Sequence, residues 1–397
     1  MRSSLKVFST LLSGISLFAA FAAAEPVTRI TQPIDSRRTA SLRGNVHPMA
    51  RPEFDQGALD PSQMLHRVTV FFSRTAAQQQ ALDKLLEQQQ DSSSPNYHKW
   101  LTPEQFAAQF GLAAADIAKV KDWLTSQGFT IDEVARGGSY IAFSGSAGQI
   151  ASALHTELHQ YNVNGEIHFA NATEPSVPAA LTDVVAGIRS LDDFKPKARA
   201  VIRKAKPDFT SGLSGNHFVT PDDFASIYNL NTLYSAGVDG TGQKLAVMGQ
   251  TDIVASDIAT FRSVSGLSVN APQVILVPGS LDPGVVSGDI GEASLDLEWA
   301  GAVARKATII YVNSKNGVFD SVNYAVSNNV APVISVSYGD CEPNFTASDL
   351  NNLSSTAQQA NAQGQTIVAP AGDDGAADCD YPATATSPAV NVAVKAP

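Results

Sequence analysis

The sequence predicts two folded blocks, an α+β domain with an antiparallel sheet followed by an α/β domain with a largely parallel sheet. In residues 61–194, strand and helix patterns interleave and strands occur as hairpin neighbours, which favours an antiparallel sheet. In residues 217–397, strands alternate with helices, which is typical of a parallel sheet covered by helices. A length of 397 residues is enough for both blocks.

The elements of the first block follow from hydrophobic periodicity and turn residues. An Asn164-Gly165 pair between two short runs predicts a hairpin, and Gly128 is expected to end a helix. Residues 25–60 show little periodicity and are predicted to form an extended lead-in. We predict strands at 64–74, 129–134, 139–144, 159–163 and 166–170, and helices at 75–90, 112–127, 147–158 and 178–190.

The second block shows a more regular alternation of apolar runs and helical patterns. We predict strands at 244–248, 273–277, 308–312, 333–337 and 366–370, with helices at 288–304, 318–327 and 347–363. In such folds the chemistry lies at the carboxyl ends of the strands, so candidate functional residues are expected there.

A basic stretch, residues 195–216, separates the two blocks. Six basic side chains fall within residues 195–206: Lys195, Lys197, Arg199, Arg203, Lys204 and Lys206. Pro, Ser and Gly follow, so the stretch is predicted to be an exposed linker that is readily cut by proteases. A plain basic loop and a nucleic-acid arm are the alternatives. A processing linker is favoured because the stretch divides two well-patterned blocks.

The overall charge argues against nucleic-acid binding. The chain has 27 Lys+Arg against 38 Asp+Glu, a formal net charge of −11, whereas a nucleic-acid surface needs excess positive charge. Residues 1–6 carry two positive charges, and an apolar run from Val7 to Ala24 ends in three alanines before Glu25. This pattern predicts a signal peptide, residues 1–24, and hence a secreted protein. Polar residues within the run disfavour a membrane anchor, and no later segment resembles a membrane span.

Three short motifs are candidates for chemistry. Glu292 and Asp296 are four residues apart, which places both carboxylates on one face of a predicted helix, where a close acidic pair can share a proton. Most such pairs are only solvated faces, but the neighbouring Leu295 and Trp299 indicate partial burial. The other motifs are Ser335-Val336-Ser337-Tyr338-Gly339, at the end of one strand, and Gly372-Asp373-Asp374-Gly375, after another.

In this order the motifs resemble the sedolisin family, the kumamolisin-like serine-carboxyl peptidases, which have subtilisin-like folds with glutamate in place of the catalytic histidine. The three motifs match that family's Glu-x-x-x-Asp helix, its Ser-x-Ser-aromatic-Gly substrate strand and its Gly-Asp-(Ser/Asp)-Gly loop. Residues 94–106, SPNYHKWLTPEQF, resemble the signature of the pro-kumamolisin activation domain and are the most specific of these stretches. The resemblance covers residues 64–397.

The resemblance implies a ferredoxin-like antiparallel sheet in an activation pro-domain at 61–194. It implies the N-terminal part of a subtilisin-like catalytic domain at 217–397. By the same resemblance, Glu292 is the general base, Asp296 orients it and shares its proton, and Asp373 is the oxyanion partner. A carboxylate cannot donate a hydrogen bond, so Asp373 has to be protonated, which suits acid pH. Ser337, Tyr338 and Gly339 are expected to pair with an extended polypeptide substrate.

The catalytic serine of the family is not found. Its Gly-Thr-Ser motif is absent, and the nearest fragment is Gly240-Thr241-Gly242. We therefore expect the chain to be cut off before the nucleophile and to be inactive. The family's calcium site is expected beyond Pro397, so no metal or other cofactor is predicted within the chain. Six of the seven histidines precede the linker and His217 lies beside it, which disfavours a Ser-His-Asp triad in the second block.

Two functions remain open from the sequence. One is the precursor of a secreted, acid-active serine-type endopeptidase that processes itself at low pH. The other is a non-catalytic inhibitor or remnant, containing the pro-domain, that binds a related peptidase. Cys341 and Cys379 are expected to pair in an oxidising compartment, the alternative being two separate thiols.

Overall fold

A computed structural model describes residues 26–198, 209–210, 217–372 and 395–396. Within these ranges the chain forms two units, one before and one after the basic linker, each with hydrophobic cores of its own. For residues 209–210, 217–218 and 395–396 the description covers the backbone alone.

The first unit has nine strands and four α-helices. The strands are β1 (Thr39–Ser41), β2 (Asp55–Ala58), β3 (Met64–Phe72), β4 (Thr130–Val134), β5 (Tyr140–Ser146), β6 (Leu158–Val163), β7 (Glu166–Asn171), β8 (Ser176–Pro178) and β9 (Val185–Arg189). The helices are α1 (Ala76–Gln90), α2 (Pro103–Phe110), α3 (Ala114–Ser126) and α4 (Ala147–Leu154).

The main sheet of this unit is antiparallel, as predicted. Its strand order is β4-β5-β3-β9, with the apolar β3 in a central position. The predicted hairpin is β6-β7, which β2 extends to a three-stranded sheet. The description of this unit as ferredoxin-like stays a prediction.

Three helices of the first unit begin at a capping box. In each, a Ser or Thr side chain accepts a hydrogen bond from the backbone N–H three residues on, and a Gln side chain at that position accepts one from the cap's own N–H. The pairs are Thr75 with Gln78, Thr102 with Gln105, and Ser146 with Gln149. Helix α2 was not predicted, although Thr102-Pro103-Glu104-Gln105 carries the signal for its start.

The predicted helix at 178–190 is wrong. The segment forms a short 3-10 turn, Ala179–Leu181, and then β9, which pairs antiparallel with β3. The β-branched Val185 and Ile188 are buried there. Tertiary pairing decides the conformation, because these residues suit a strand packed on a core better than a helix.

The segment predicted to be an extended lead-in, residues 25–60, is extended and irregular only in part, because it also supplies two paired strands. Ile30 is buried in the core of the first unit. Strand β1 pairs with β8, and β2 pairs with β6. These partners lie more than a hundred residues away in the sequence, so local periodicity does not reveal them. Helix α4 also ends earlier than predicted, because His155 takes a left-handed conformation with φ of 48°.

The second unit is built on a parallel sheet, which confirms that part of the prediction. The order β13-β14-β12-β15-β17 is parallel throughout. The strands are β10 (Phe209–Thr210), β11 (His217–Phe218), β12 (Lys244–Gly249), β13 (Gln273–Leu276), β14 (Thr308–Asn313), β15 (Val333–Ser335), β16 (Asp340–Cys341), β17 (Thr366–Val368) and β18 (Lys395–Ala396). The helices are α5 (Pro221–Ile227), α6 (Leu230–Ser235), α7 (Ala255–Val264), α8 (Ile290–Val303), α9 (Val318–Ser327) and α10 (Ala347–Ala362), of which α5 to α7 were not predicted.

A buried arginine joins the two units. Arg67 in β3 is fully buried, and its Nε lies 2.9 and 3.1 Å from the two carboxylate oxygens of Asp320 in α9. Its other nitrogens donate to Glu133 in β4, at 2.9 Å, and to the Pro278 carbonyl. A second ion pair, Arg189 to Asp349 at 2.6 Å, also crosses between the units. The first unit is therefore docked by buried charge as well as by packing.

Candidate active site

The predicted acidic pair lies at the start of α8. Glu292 stands in the first turn of the helix and is buried, and Asp296 follows one turn later on the same face. Burial, and then the charge of Glu292 and a hydrogen bond with it, raise the pKa of Asp296 to about 7, against the opposing effect of a hydrogen bond from Ser337. The pair therefore holds a proton well into the mildly acid range, as two adjoining carboxyl groups do when they are withdrawn from water.

The structure brings the second predicted motif to this pair. The Ser337 hydroxyl donates a hydrogen bond to Asp296 Oδ1 at 2.8 Å. Ser337 follows β15, so the contact forms at the carboxyl edge of the parallel sheet, where chemistry is expected. Tyr338 and Gly339 are buried beside it, and burial raises the pKa of the Tyr338 phenol well above its usual range.

The remaining predicted site residues are only partly covered. Asp373 and Cys379 lie outside the described residues. Cys341 is described and is buried in β16. The oxyanion role of Asp373 and the Cys341–Cys379 pairing stay predictions.

The beginning of the basic linker crosses the site. Residues 195–198, here called the strap, leave the first unit and reach the second, and Ala198 pairs antiparallel with Tyr338 in an isolated bridge. The Lys195 ammonium donates to the carbonyl of Lys315. A cavity of about 500 Å³ lies beside the strap and is lined by both units. The strap thus pairs with the same segment, Ser337 to Gly339, that is predicted to pair with an extended substrate.

Two residues of the site were missed from the sequence, Gln250 and Asp289. Gln250 follows β12 directly, and its Nε2 donates to the Pro196 carbonyl at 3.0 Å and to the Asp289 carboxylate at 3.2 and 3.3 Å. The one sequence signal that could have indicated Gln250 is its position at the carboxyl end of a predicted strand. Asp289 precedes α8 without capping it, and burial raises its pKa.

No group of three or more His, Cys, Asp or Glu residues arranged for a metal ion occurs in the described part of the chain. Over the same residues, no helix is both long enough and apolar enough to cross a membrane.

Comparison with known proteins agrees with the motifs. The family described as "Pro-kumamolisin, activation domain" matches residues 54–194. Sedolisin of Pseudomonas sp. (strain 101) is 27% identical over 92% of this chain and 63% of its own length. Over most of its length the chain is thus similar to peptidases of the sedolisin type. Kumamolisin of Bacillus sp. (strain MN-32) is 27% identical over 85% of this chain and 62% of its own length.

Other relatives match a shorter part of the chain. Tripeptidyl-peptidase 1 of Canis lupus familiaris is 29% identical over 74% of this chain and 54% of its own length. A solved structure of Pseudomonas sedolisin, described as a serine-carboxyl proteinase complexed with two molecules of pseudo-iodotyrostatin, aligns with 25% identity and a TM-score of 0.33 over 41% of this chain and 46% of that one. The chain spans less than two thirds of the length of these curated relatives.

Proposed function

We propose that this chain is part of the precursor of a secreted, acid-active serine-type endopeptidase that processes itself within residues 195–216. The observation that carries the proposal is the Glu292–Asp296 pair, whose Asp296 accepts a hydrogen bond from Ser337. The next residue, Tyr338, is paired with Ala198 of the strap, so an extended peptide already lies beside the acidic pair. A proton-sharing pair beside a peptide-binding strand has the parts needed for base catalysis of acyl transfer at acid pH.

Each residue has a proposed role. Glu292 accepts the proton of a serine hydroxyl, and Asp296 orients Glu292 and shares its proton. Asp373, when protonated, donates a hydrogen bond to the oxygen on which negative charge develops. Ser337, Tyr338 and Gly339 hold the substrate as an added antiparallel strand. The first unit acts as an activation domain whose strap fills this strand position until the linker is cut.

The test uses the protein encoded by the complete transcript, incubated at pH 4 and at pH 7. We expect cleavage within residues 195–216 at pH 4, detected by mass spectrometry. The Glu292→Gln variant should process itself about 10²–10⁴-fold more slowly, the usual effect of losing a general base.

The matched control is Glu298→Gln. Glu298 lies in the same helix, and burial also raises its pKa, but it is not part of the Glu292–Asp296 pair. It should leave the rate unchanged. Processing of Glu292→Gln at the rate of the unmodified protein would reject the proposed base. If the unmodified protein never cleaves, and instead inhibits a related peptidase at stoichiometric amounts, the non-catalytic alternative holds.

A further inference from the structure

Gln250 and Asp289 form a buried polar pair beside the acidic pair, and the proposed mechanism does not use them. They are 4% and 9% exposed. Gln250 Oε1 accepts a hydrogen bond from the backbone N–H of Val318 at 3.2 Å, which turns Nε2 toward Asp289 and the strap. Because both side chains are fixed by the body of the second unit, the groups they present to the strap are preorganised.

These two side chains hold the backbone of the strap. Gln250 Nε2 donates to the carbonyl of Pro196, and the Asp289 carboxylate accepts from the N–H of Ala198. In an extended chain the carbonyl of one residue and the N–H two residues later point to the same side, so the two contacts fit one extended peptide. Ala198 is at the same time paired with Tyr338. None of these contacts depends on the side chains of Pro196 or Ala198, so other extended peptides can make them too.

The two lysines of the strap have different surroundings. Burial lowers the pKa of Lys195, while the negative charges of Asp193 and Asp289 act in the opposite direction. Asp289 and the Lys315 carbonyl, which accepts from the Lys195 ammonium, both belong to the second unit. Lys197 is 77% exposed, and its carboxylate partner, Glu166 at 3.6 Å, belongs to the first unit. Without the first unit, a cation at the Lys195 position loses Asp193 but keeps Asp289 and the Lys315 carbonyl, whereas one at the Lys197 position loses Glu166.

We propose that Gln250 and Asp289 form a clamp for the backbone of an extended peptide and a subsite for one of its basic side chains. That side chain belongs to the peptide residue three positions before the one that pairs with Tyr338. The ligand is an extended peptide carrying Lys or Arg at that position, and the strap is its first occupant. Calling this ligand a substrate rests on the proposed function, but the binding contacts do not.

The clamp is tested on the chain as it stands by amide hydrogen exchange at Ala198, which needs no catalytic activity. Asp289→Ala and Gln250→Ala should each accelerate this exchange by roughly tenfold or more, since each removes a hydrogen bond that involves a buried polar or charged group. Unchanged exchange in β3 and β14 shows that the variants are folded. Exchange at Ala198 within twofold of the unmodified chain in both folded variants would overturn the clamp.

The basic subsite is tested with two matched lysine variants. Lys195→Gln should accelerate exchange at Ala198, and Lys197→Gln should not. Equal effects would overturn the subsite. In an active enzyme obtained from the complete transcript, kcat/KM for peptides with Lys at this position should be at least about tenfold higher than kcat/KM for peptides with Glu there. The Asp289→Asn substitution should reduce that ratio. An intact ratio in Asp289→Asn would also reject the subsite. Failure of catalysis with intact exchange effects would reject the peptidase proposal alone.

Discussion

Replacing Arg67 by methionine is expected to reduce the free energy of unfolding by about 3–5 kcal/mol at neutral pH, the usual cost of removing one partner of a buried ion pair. The side chain is 0% exposed, and those of Asp320 and Glu133 are 10% and 13% exposed. After the change, Asp320 keeps the hydrogen bond from the Ser314 hydroxyl at 2.6 Å but has lost its cation. The left-handed backbone at residue 67, with φ of 50°, strains Met as it strains Arg, so that contribution cancels.

The assay is a urea titration followed by tryptophan fluorescence and, in parallel, by far-UV circular dichroism, because coincident transitions are needed to extract a free energy. Arg136→Met is the matched control. Arg136 pairs with Glu104 at 2.7 Å, but the two side chains are 48% and 60% exposed. Exposed ion pairs contribute about 0–1 kcal/mol, so the control should lose no more than that.

A second variant tests the physical cause. If the cost of Arg67→Met comes from an unpaired buried carboxylate, adding Asp320→Asn should recover at least about 1 kcal/mol. The reasoning is refuted if Arg67→Met costs no more than Arg136→Met, or if the added substitution lowers stability further.

Three more predictions concern pH and close packing. Asp296→Asn should stabilise the chain near pH 7 by on the order of 3 kcal/mol and change little near pH 4, in urea titrations. Because the pKa of Asp296 is raised from 3.8 to about 7, the protonated side chain contributes fully to stability below pH 3.8, and this contribution is lost as the pH rises toward 7. Equal effects of Asp296→Asn at pH 4 and pH 7 would contradict this reasoning. Burial lowers the pKa of His47 to about 4, so an NMR titration should show no inflection of its ring near 6.5, and its contribution to stability is lost as the pH falls from 6.5 toward 4. Gly187→Ala should cost about 1–3 kcal/mol, because a Cβ would lie 1.9 Å from Ser348 Oγ. Adding Ser348→Gly should restore part of that loss, and Gly288→Ala, with no atom within 4 Å of its Cβ, should cost less.

The order of elements was accessible from the sequence wherever periodicity and end signals agree. Helix α9 has the predicted bounds, and α8 and α10 differ from theirs by at most two residues. Predictions failed where a distant partner decides the conformation. Residues 185–189 become a strand because β3 offers an edge, and the lead-in supplies β2 because β6 accepts it.

The candidate site divides in the same way. The spacing of Glu292 and Asp296 determined that both carboxyls share one helix face, since helical geometry is local. The position of Ser337 after a strand determined the sheet edge at which it lies. Neither fact reveals that the Ser337 hydroxyl bonds Asp296, because that contact joins residues 41 positions apart in the sequence.

The sequence by itself determined the two-block organisation, the parallel sheet of the second unit, and which residues belong to the acidic pair and its neighbouring strand. Only the tertiary structure decided that the strap pairs with Tyr338, that Gln250 and Asp289 hold it, and that Arg67 is buried against Asp320. The reason is physical. Helix and strand periodicity record which side chains face a core, whereas the energy of a buried charge or a backbone clamp depends on partners that only the folded chain brings within hydrogen-bonding distance.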